Sequence, residues 1–315
     1  MSLRSLFGVF LICAAIIAPW VVSDWFAGDT SSLVETPQHR VTVPGMKPEA
    51  REKRNFSVVP AQVKEGSKSK RVIPRGAARN FATSAKALLT PGRAGVPQSD
   101  LSVKTAARHT DRITFEMNRL GMQLGDPVFC RLFKEENEFE LWVKPSGKSE
   151  FSLYKVYRIC KRSGDLGPKK AAGDRQTPEG FYYVPASRMV PDLQSHLGFH
   201  LGYPNAVDRY HCRTGGDVMV HGNCSSKGTY SMTDESMEEI FTVVSASLNK
   251  GQDFFRVHCF PFRMDDKRMD PMIAAHPEND QFWANLKEGY DFFEILRFPP
   301  NVTVSSDGKY QFAVK

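Results

Sequence analysis

The chain has 315 residues, with 42 Lys and Arg against 35 Asp and Glu, a formal net charge of +7. That length allows one sizeable core with appendages. The segment from Ala27 to Arg112 holds 16 Lys and Arg and 7 Asp and Glu, a net +9, and Arg4 balances Asp24 before it, so residues 113–315 carry −2. A nucleic-acid partner is not expected, because its binding charge belongs on a folded face and not in a flanking segment.

The first residues read as a targeting segment. Arg4 makes a short positive region, and Leu6 to Val22 is an apolar run broken only by Gly8 and Pro19. That length suits a signal peptide or an N-terminal membrane anchor over 1–26. A buried core helix is the alternative, but the polar, basic stretch that follows offers nothing to bury it. The bulk of the chain is therefore expected to be exported, to the periplasm in a bacterium, or held at the inner membrane by an uncleaved leader. Residues 27–110 read as a basic, disordered linker. Stretches such as Gly45 to Arg54 and Lys64 to Arg71 have few aromatics and no sustained period, so they cannot bury enough apolar surface to offset ordering entropy. A spacer is the favoured reading, with loose attraction to anionic lipid or polymer as the other.

Six cysteines are present, and Cys13 lies in the leader. The remaining five, Cys130, Cys160, Cys212, Cys224 and Cys259, are odd in number, which in an oxidising compartment implies a free thiol or an intermolecular bond. None forms a CxxC pair, so no structural zinc site is expected.

Order is expected from near Ala106, where Ile113, Met117 and Leu120 share a helical face. Strand patterns follow at Pro127 to Phe133, Phe139 to Val143, Phe151 to Cys160, Phe181 to Val184 and Asp217 to Val220, separated by polar turns such as Pro145 to Ser149. A helix starts at Thr233 or Asp234, shows Met237, Ile240, Phe241, Val244 and Leu248 on one face, and stops at Lys250-Gly251. Phe254 to Phe260 reads as a core strand. A helix around Phe282, Trp283 and Leu286 and a hairpin from Val302 across Asp307-Gly308 to Phe312 complete the chain. The expected fold class is mostly β with decorating helices, a β-rich α+β domain. Its main body spans 111–262, with a C-terminal helix and hairpin over 263–315 packed on it.

The chemistry concentrates in Val218-Met-Val-His-Gly-Asn-Cys-Ser-Ser-Lys-Gly-Thr-Tyr-Ser-Met-Thr-Asp234. A strand ends in a histidine, a glycine-bearing loop follows, and a capped helix begins. A strand-end histidine is held rigidly, and a loop entering a helix turns backbone N–H groups outward. Those are the parts of acyl transfer: a base, a nucleophile and an oxyanion site.

This segment resembles the L,D-transpeptidase (YkuD-type) family, specifically its YafK-type branch. The resemblance spans about Asp126 to Val304. It includes Arg158-Ile-Cys-Lys, Gly167-Pro-Lys-Lys, Gly173-Asp-Arg-Gln-Thr-Pro-Glu-Gly180, Gly202-Tyr-Pro-Asn205, His221-Gly-Asn-Cys, Gly228-Thr-Tyr-Ser-Met-Thr-Asp234, Pro261-Phe-Arg-Met and Phe282-Trp. It implies a YkuD-like fold, His221 as base, and Gly228 and Thr229 as oxyanion N–H donors. Ser226 matches the serine two residues before the family's Gly-Cys pair, and Thr229 stands where the family carries its nucleophilic cysteine. Gly222, Asn223, Ser226, Tyr230, Tyr203 and Arg209 are the candidate substrate contacts.

The Thr229 departure matters chemically. An imidazole readily lowers a thiol, whereas a threonine hydroxyl is a far weaker acid on a stiff, β-branched side chain. Three readings follow: a degenerate member that binds without cleaving, slow use of Thr229 in the manner of a serine hydrolase, or recruitment of Cys224 as a substitute thiol. A Cys160–Cys224 disulfide would remove the third. The implied partners are peptidoglycan stem peptides containing diaminopimelate, with acyl transfer to an amine or to water, and a peptidoglycan-attached outer-membrane protein. The resemblance implies no metal and no organic cofactor. His211 and His258 read as structural or surface residues.

Overall fold

The computed structural model describes residues 95–314; the expected leader and the linker as far as residue 94 lie outside them. Within the described part the linker boundary at 110 needs correction. Helix α1 runs Asp100–Arg119, and Ser99 caps it reciprocally with Ser102, each hydroxyl accepting from the other's backbone N–H. The start was masked because serine replaces the usual Glu or Gln of that box, and because the inward side chains of the first turns are polar: Ser102, Thr105 and His109 are buried. Ile113 and Met117 are fully buried as expected, but Leu120 is the C-cap and 53% exposed.

Two sheets form the centre. Strands β1 (Val128–Phe133), β2 (Glu138–Val143), β3 (Ser152–Arg158), β4 (Gly180–Pro185) and β9 (Phe254–Phe260) make a five-stranded sheet in the order β3-β2-β1-β9-β4. Only the β1–β9 pair is parallel. Strands β5 (Met189–Leu193), β6 (His196–His200), β7 (Met219–His221) and β8 (Tyr230–Ser231) make a second sheet in that order. The architecture is thus β-rich α+β. The β5–β6 hairpin was not legible, since Pro191 and Asp192 interrupt its apolar pattern.

The pleat sends alternate residues to opposite faces. Val128, Cys130 and Leu132 of β1, with Phe255, Val257 and Cys259 of β9, face the main core. There they meet α3 (Asp234–Lys250) and the apolar side of the second sheet through Phe199 and Val220. Helix α3 begins and ends as its sequence dictates. Thr233 accepts from Ser236 N, and Gly251 stops the helix at φ 132°, a conformation that favours glycine. The opposite face carries Phe129, Phe133 and Phe260, covered by helix α5 (Asp280–Leu296) through Trp283, Tyr290 and Phe293. Between β6 and β7 lies the short helix α2 (Ala206–Tyr210), and between β9 and α5 lies α4 (Asp266–Ala275). The chain closes with a hairpin of β10 (Asn301–Val304) and β11 (Tyr310–Ala313), turning at Gly308.

Candidate active site

Strand β7 ends at His221, and parallel β8 starts just beyond Thr229, with Val220 beside Tyr230 and His221 beside Ser231. The loop between must therefore fold back beside the histidine. Two features of the sequence permit this. Gly228 adopts φ 101°, and a side chain at Gly222 would collide with Asp234 Oδ1 at 2.6 Å. Asp234 Oδ1 also accepts from Asn223 N at 2.7 Å, so the first residue of α3 ties down the start of the loop.

The hydroxyl protons of the site can be assigned from their partners. Gly222 O can only accept, so His221 Nδ1, 2.6 Å from it, carries the ring proton. His221 Nε2 then offers a lone pair, with Thr229 Oγ1 at 2.9 Å and Ser231 Oγ at 3.4 Å. Ser231 gives its proton to Ser225 O, which leaves Thr229 as the donor to Nε2. Ser226 Oγ donates to Thr229 O at 2.7 Å and accepts from Thr229 N at 3.2 Å. Ser163 Oγ accepts from Gly228 N at 2.6 Å and donates to Ser226 Oγ at 3.0 Å. Burial holds the His221 imidazole below its ordinary value, the bond to Gly222 opposing that shift. A neutral ring with an exposed lone pair beside a hydroxyl is the starting state of general-base catalysis.

Two expectations need correction here. The N–H groups of Gly228 and Thr229 were expected to face an oxyanion; both donate to serine hydroxyls instead. Of the three readings, recruitment of Cys224 as a substitute thiol is removed, because Cys224 is bonded to Cys160, with Cα atoms 5.3 Å apart. The register explains the pairing. Cys160 and Lys161 bond to Ser231, so residues 160–163 run beside the loop and bring Cys160 to Cys224 and Ser163 to Ser226. Of the three free cysteines among the described residues, Cys130 and Cys259 are buried and Cys212 is exposed.

The candidate contacts divide. Thr229 and Gly228 line an open cleft of about 180 Å³, together with Lys169, Lys227, Gly173, Gly215 and Asp217. Tyr203 and Tyr230 do not reach it as contacts, since both rings are buried beneath the surface. Tyr203 donates to Lys169 O and Tyr230 to Pro178 O at 2.8 Å, so each braces a wall. Arg209 is turned to Pro204 O at 2.5 Å and lies outside the cleft lining. Asn223 is exposed at the loop start. Ser163, Lys169 and Lys227 were missed. Ser163 sits 58 positions before His221, with no local pattern to single it out, and the motif Gly167-Pro-Lys-Lys170 carries Lys169 without its spacing pointing to the cleft. The segment Asp174 to Gly180 does flank the site, with Thr177 Oγ1 donating to Ser163 O at 2.8 Å. Beneath it Lys134 and Glu179 form a fully buried pair at 3.0 Å, and Trp283 Nε1 donates to Glu179 at 2.9 Å. No group of three or more His, Cys, Asp or Glu among the described residues is placed to hold a metal.

A strand-end imidazole thus faces the hydroxyl of the residue after Gly228 on a two-sheet domain. No family model matches the chain. It is 42% identical over 187 residues to the Escherichia coli K12 protein named "Putative L,D-transpeptidase YafK", covering 59% of this chain and 74% of that one; the O157:H7 protein of that name matches to the same extent. The chain belongs to the L,D-transpeptidase family, in the YafK-type branch. Among solved structures, the helical cell shape determining protein Pgp2 of Campylobacter jejuni aligns at 15% identity and a TM-score of 0.34, covering 61% of this chain and 80% of that one. Bd1075 of Bdellovibrio bacteriovorus aligns at 19% identity and a TM-score of 0.31, covering 53% and 62%. The family assignment rests on the sequence relationship alone.

Proposed function

We propose that this protein acts on peptidoglycan stem peptides containing diaminopimelate, in the cell envelope, through Thr229 as a hydroxyl nucleophile activated by His221. The leader at 1–26 would deliver it there, and the basic segment after it would serve as the spacer. The observation that carries this reading is the bond from Thr229 Oγ1 to His221 Nε2 at 2.9 Å, with Nδ1 fixed on Gly222 O. The stiffness of threonine, a handicap in free solution, here holds the hydroxyl on the lone pair before any substrate arrives. In the reaction, Thr229 Oγ1 attacks the amide carbonyl while His221 Nε2 takes its proton. The imidazolium then protonates the leaving amine, and an acyl ester on Thr229 remains for transfer to an amine or to water. Lys227 on the cleft wall matches a free carboxylate of a diaminopimelate peptide, while Lys169 beside it is held by Asp174 at 2.5 Å.

A second reading has a specific observation behind it. With the N–H groups of Gly228 and Thr229 taken by Ser163 and Ser226, the two expected oxyanion donors are engaged, which fits a binding module that does not cleave. Intact-mass spectrometry of the purified protein, incubated with diaminopimelate-containing muropeptides, separates the two. Covalent acylation that disappears in Thr229→Ala supports the hydroxyl nucleophile. Saturable muropeptide binding with no adduct supports the binding module and rejects the nucleophile.

A further inference from the structure

Strands β4 and β9 pair so that Phe181 lies opposite His258, Tyr183 opposite Arg256 and Pro185 opposite Phe254. These side chains floor a cavity of about 650 Å³ that β10 and Tyr310 help enclose. It shares no lining residue with the cleft at Thr229. Its size falls within the ~300–1,000 Å³ of small-molecule sites, and its mostly apolar wall with a few polar groups matches their usual composition.

Two polar side chains in the cavity wall stand out: one has no hydrogen-bond partner, and the other is a charge with no counter-ion among the described residues. His258 is 1% exposed, and neither ring nitrogen has a hydrogen-bond partner. Its neighbours are the edges of Phe129 and Phe181, with centroids at 4.6 and 4.7 Å. An unpaired buried imidazole is costly, so native sites retain one chiefly where something else completes it. Arg256 donates to Asn301 Oδ1 at 2.6 Å, lies over the Phe254 ring, and makes no ion pair among the described residues. Asp253, at the rim, is the one acidic residue of the lining. Tyr183 and Phe254 stand at the mouth with rings 5.5 Å apart, 43% and 37% exposed.

We propose that this cavity is a second binding site, for a small amphipathic carboxylic acid. The carboxylate pairs with Arg256, the apolar body lies against Phe181, Tyr183 and Phe254, and a hydroxyl or amide at the far end meets His258. The two side chains leave the same strand two residues apart, their Cα atoms roughly 7 Å from each other. That spacing fits a ligand of about one aromatic ring between its polar ends. A carboxylate is favoured over a cationic ligand because the guanidinium is the unpaired charge in the wall.

Isothermal titration of the purified full chain tests this with 3-(4-hydroxyphenyl)propionate, 3-phenylpropionate, and the amide of the latter. Saturable binding at one site per chain is expected. The carboxylate should bind about tenfold tighter than the amide, and the phenol should add about fivefold, increments typical of one charged and one neutral hydrogen bond. Arg256→Met should abolish the first difference and His258→Phe the second. Tyr183→Ala, at the exposed mouth, should weaken all three ligands without lowering the melting temperature, while Thr229→Ala should change none. Absence of saturable binding to the wild-type chain overturns the proposal. So does binding that Thr229→Ala abolishes, or preferences that survive in Arg256→Met and His258→Phe.

Discussion

At His221 the position of one proton decides what the site can do. Gly222 O holds the ring proton on Nδ1, so Nε2 is free to accept from Thr229. Because burial depresses this imidazole below its usual ~6.5, it stays neutral into mild acid. Acylation by the wild-type chain is therefore predicted to hold its rate as pH falls to about 6.5 and to decline only below that value. A pH–rate profile checks this; an acid limb centred above 6.5 would show that the ring is not the buried, neutral base described here. His221, Thr229 and Ser226 were all legible because they sit in one motif ordered strand, loop, capped helix. Ser163 was not, because it reaches the site only through the pairing of residues 160–161 with Ser231, a tertiary register that no local spacing reveals. Tyr203 and Tyr230 misled for a related reason. An aromatic residue inside a site motif contributes equally well as a buried brace, and burial is decided by the whole fold.

The element that shapes the site is the loop between β7 and β8. It is fastened at Asp234, at the Cys160–Cys224 bond, and through Ser163 to the segment above it. The disulfide joins residues 64 apart, so the Cys160→Ser/Cys224→Ser double variant should lose about 2–4 kcal/mol of stability through the freer unfolded chain. Urea denaturation measures that loss. The same variant should still acylate, since neither sulfur is the nucleophile; loss of the adduct with the fold intact would restore a chemical role to Cys224. Among the elements, α3 and β9 were read from sequence to within a residue, because Thr233, Gly251 and a clean apolar alternation mark them. Helix α4, with Pro271 inside it, and the β5–β6 hairpin, with Pro191 and Asp192, were hidden by residues that usually end such elements and are tolerated here by their surroundings. The first six residues of α1 were hidden by an inward face that is polar. His109 there bonds Glu238 of α3 at 2.6 Å, satisfying its burial through an ion partner instead of apolar contact.

For the molecule as a whole, the central strands of the five-stranded sheet are covered on both faces, with Arg131, Glu140 and His258 buried among the aromatics of one of them, which is why sequence alternation alone does not tell inside from outside. One face packs α3 and the second sheet; the other packs α5 and the C-terminal hairpin. The latter face carries the buried imidazole of His258, held well below its ordinary value by burial, with Arg256 and Arg131 adding to the effect. The unfolded chain binds a proton at this residue near pH ~6.5 and the folded chain does not, so stability is full above that pH and falls as the solution is acidified below it. The melting temperature should therefore drop between about pH 6.5 and 5, above the range where carboxylates titrate, and His258→Phe should flatten that part of the curve. An unchanged slope in the variant would place the acid sensitivity elsewhere. The central claim, proposed above, that the Thr229 cleft backed by His221 is an acyl-transfer centre served by a hydroxyl, is tested most directly by comparing muropeptide turnover in the wild type, Thr229→Val and Thr229→Cys. The account predicts no turnover for Thr229→Val, which keeps the shape and removes the hydroxyl. It predicts at least about tenfold more than wild type for Thr229→Cys, a barrier reduction of some ~1.4 kcal/mol from a thiol beside the same base. Turnover that persists in Thr229→Val, or a Thr229→Cys chain that folds and stays inert, would contradict it.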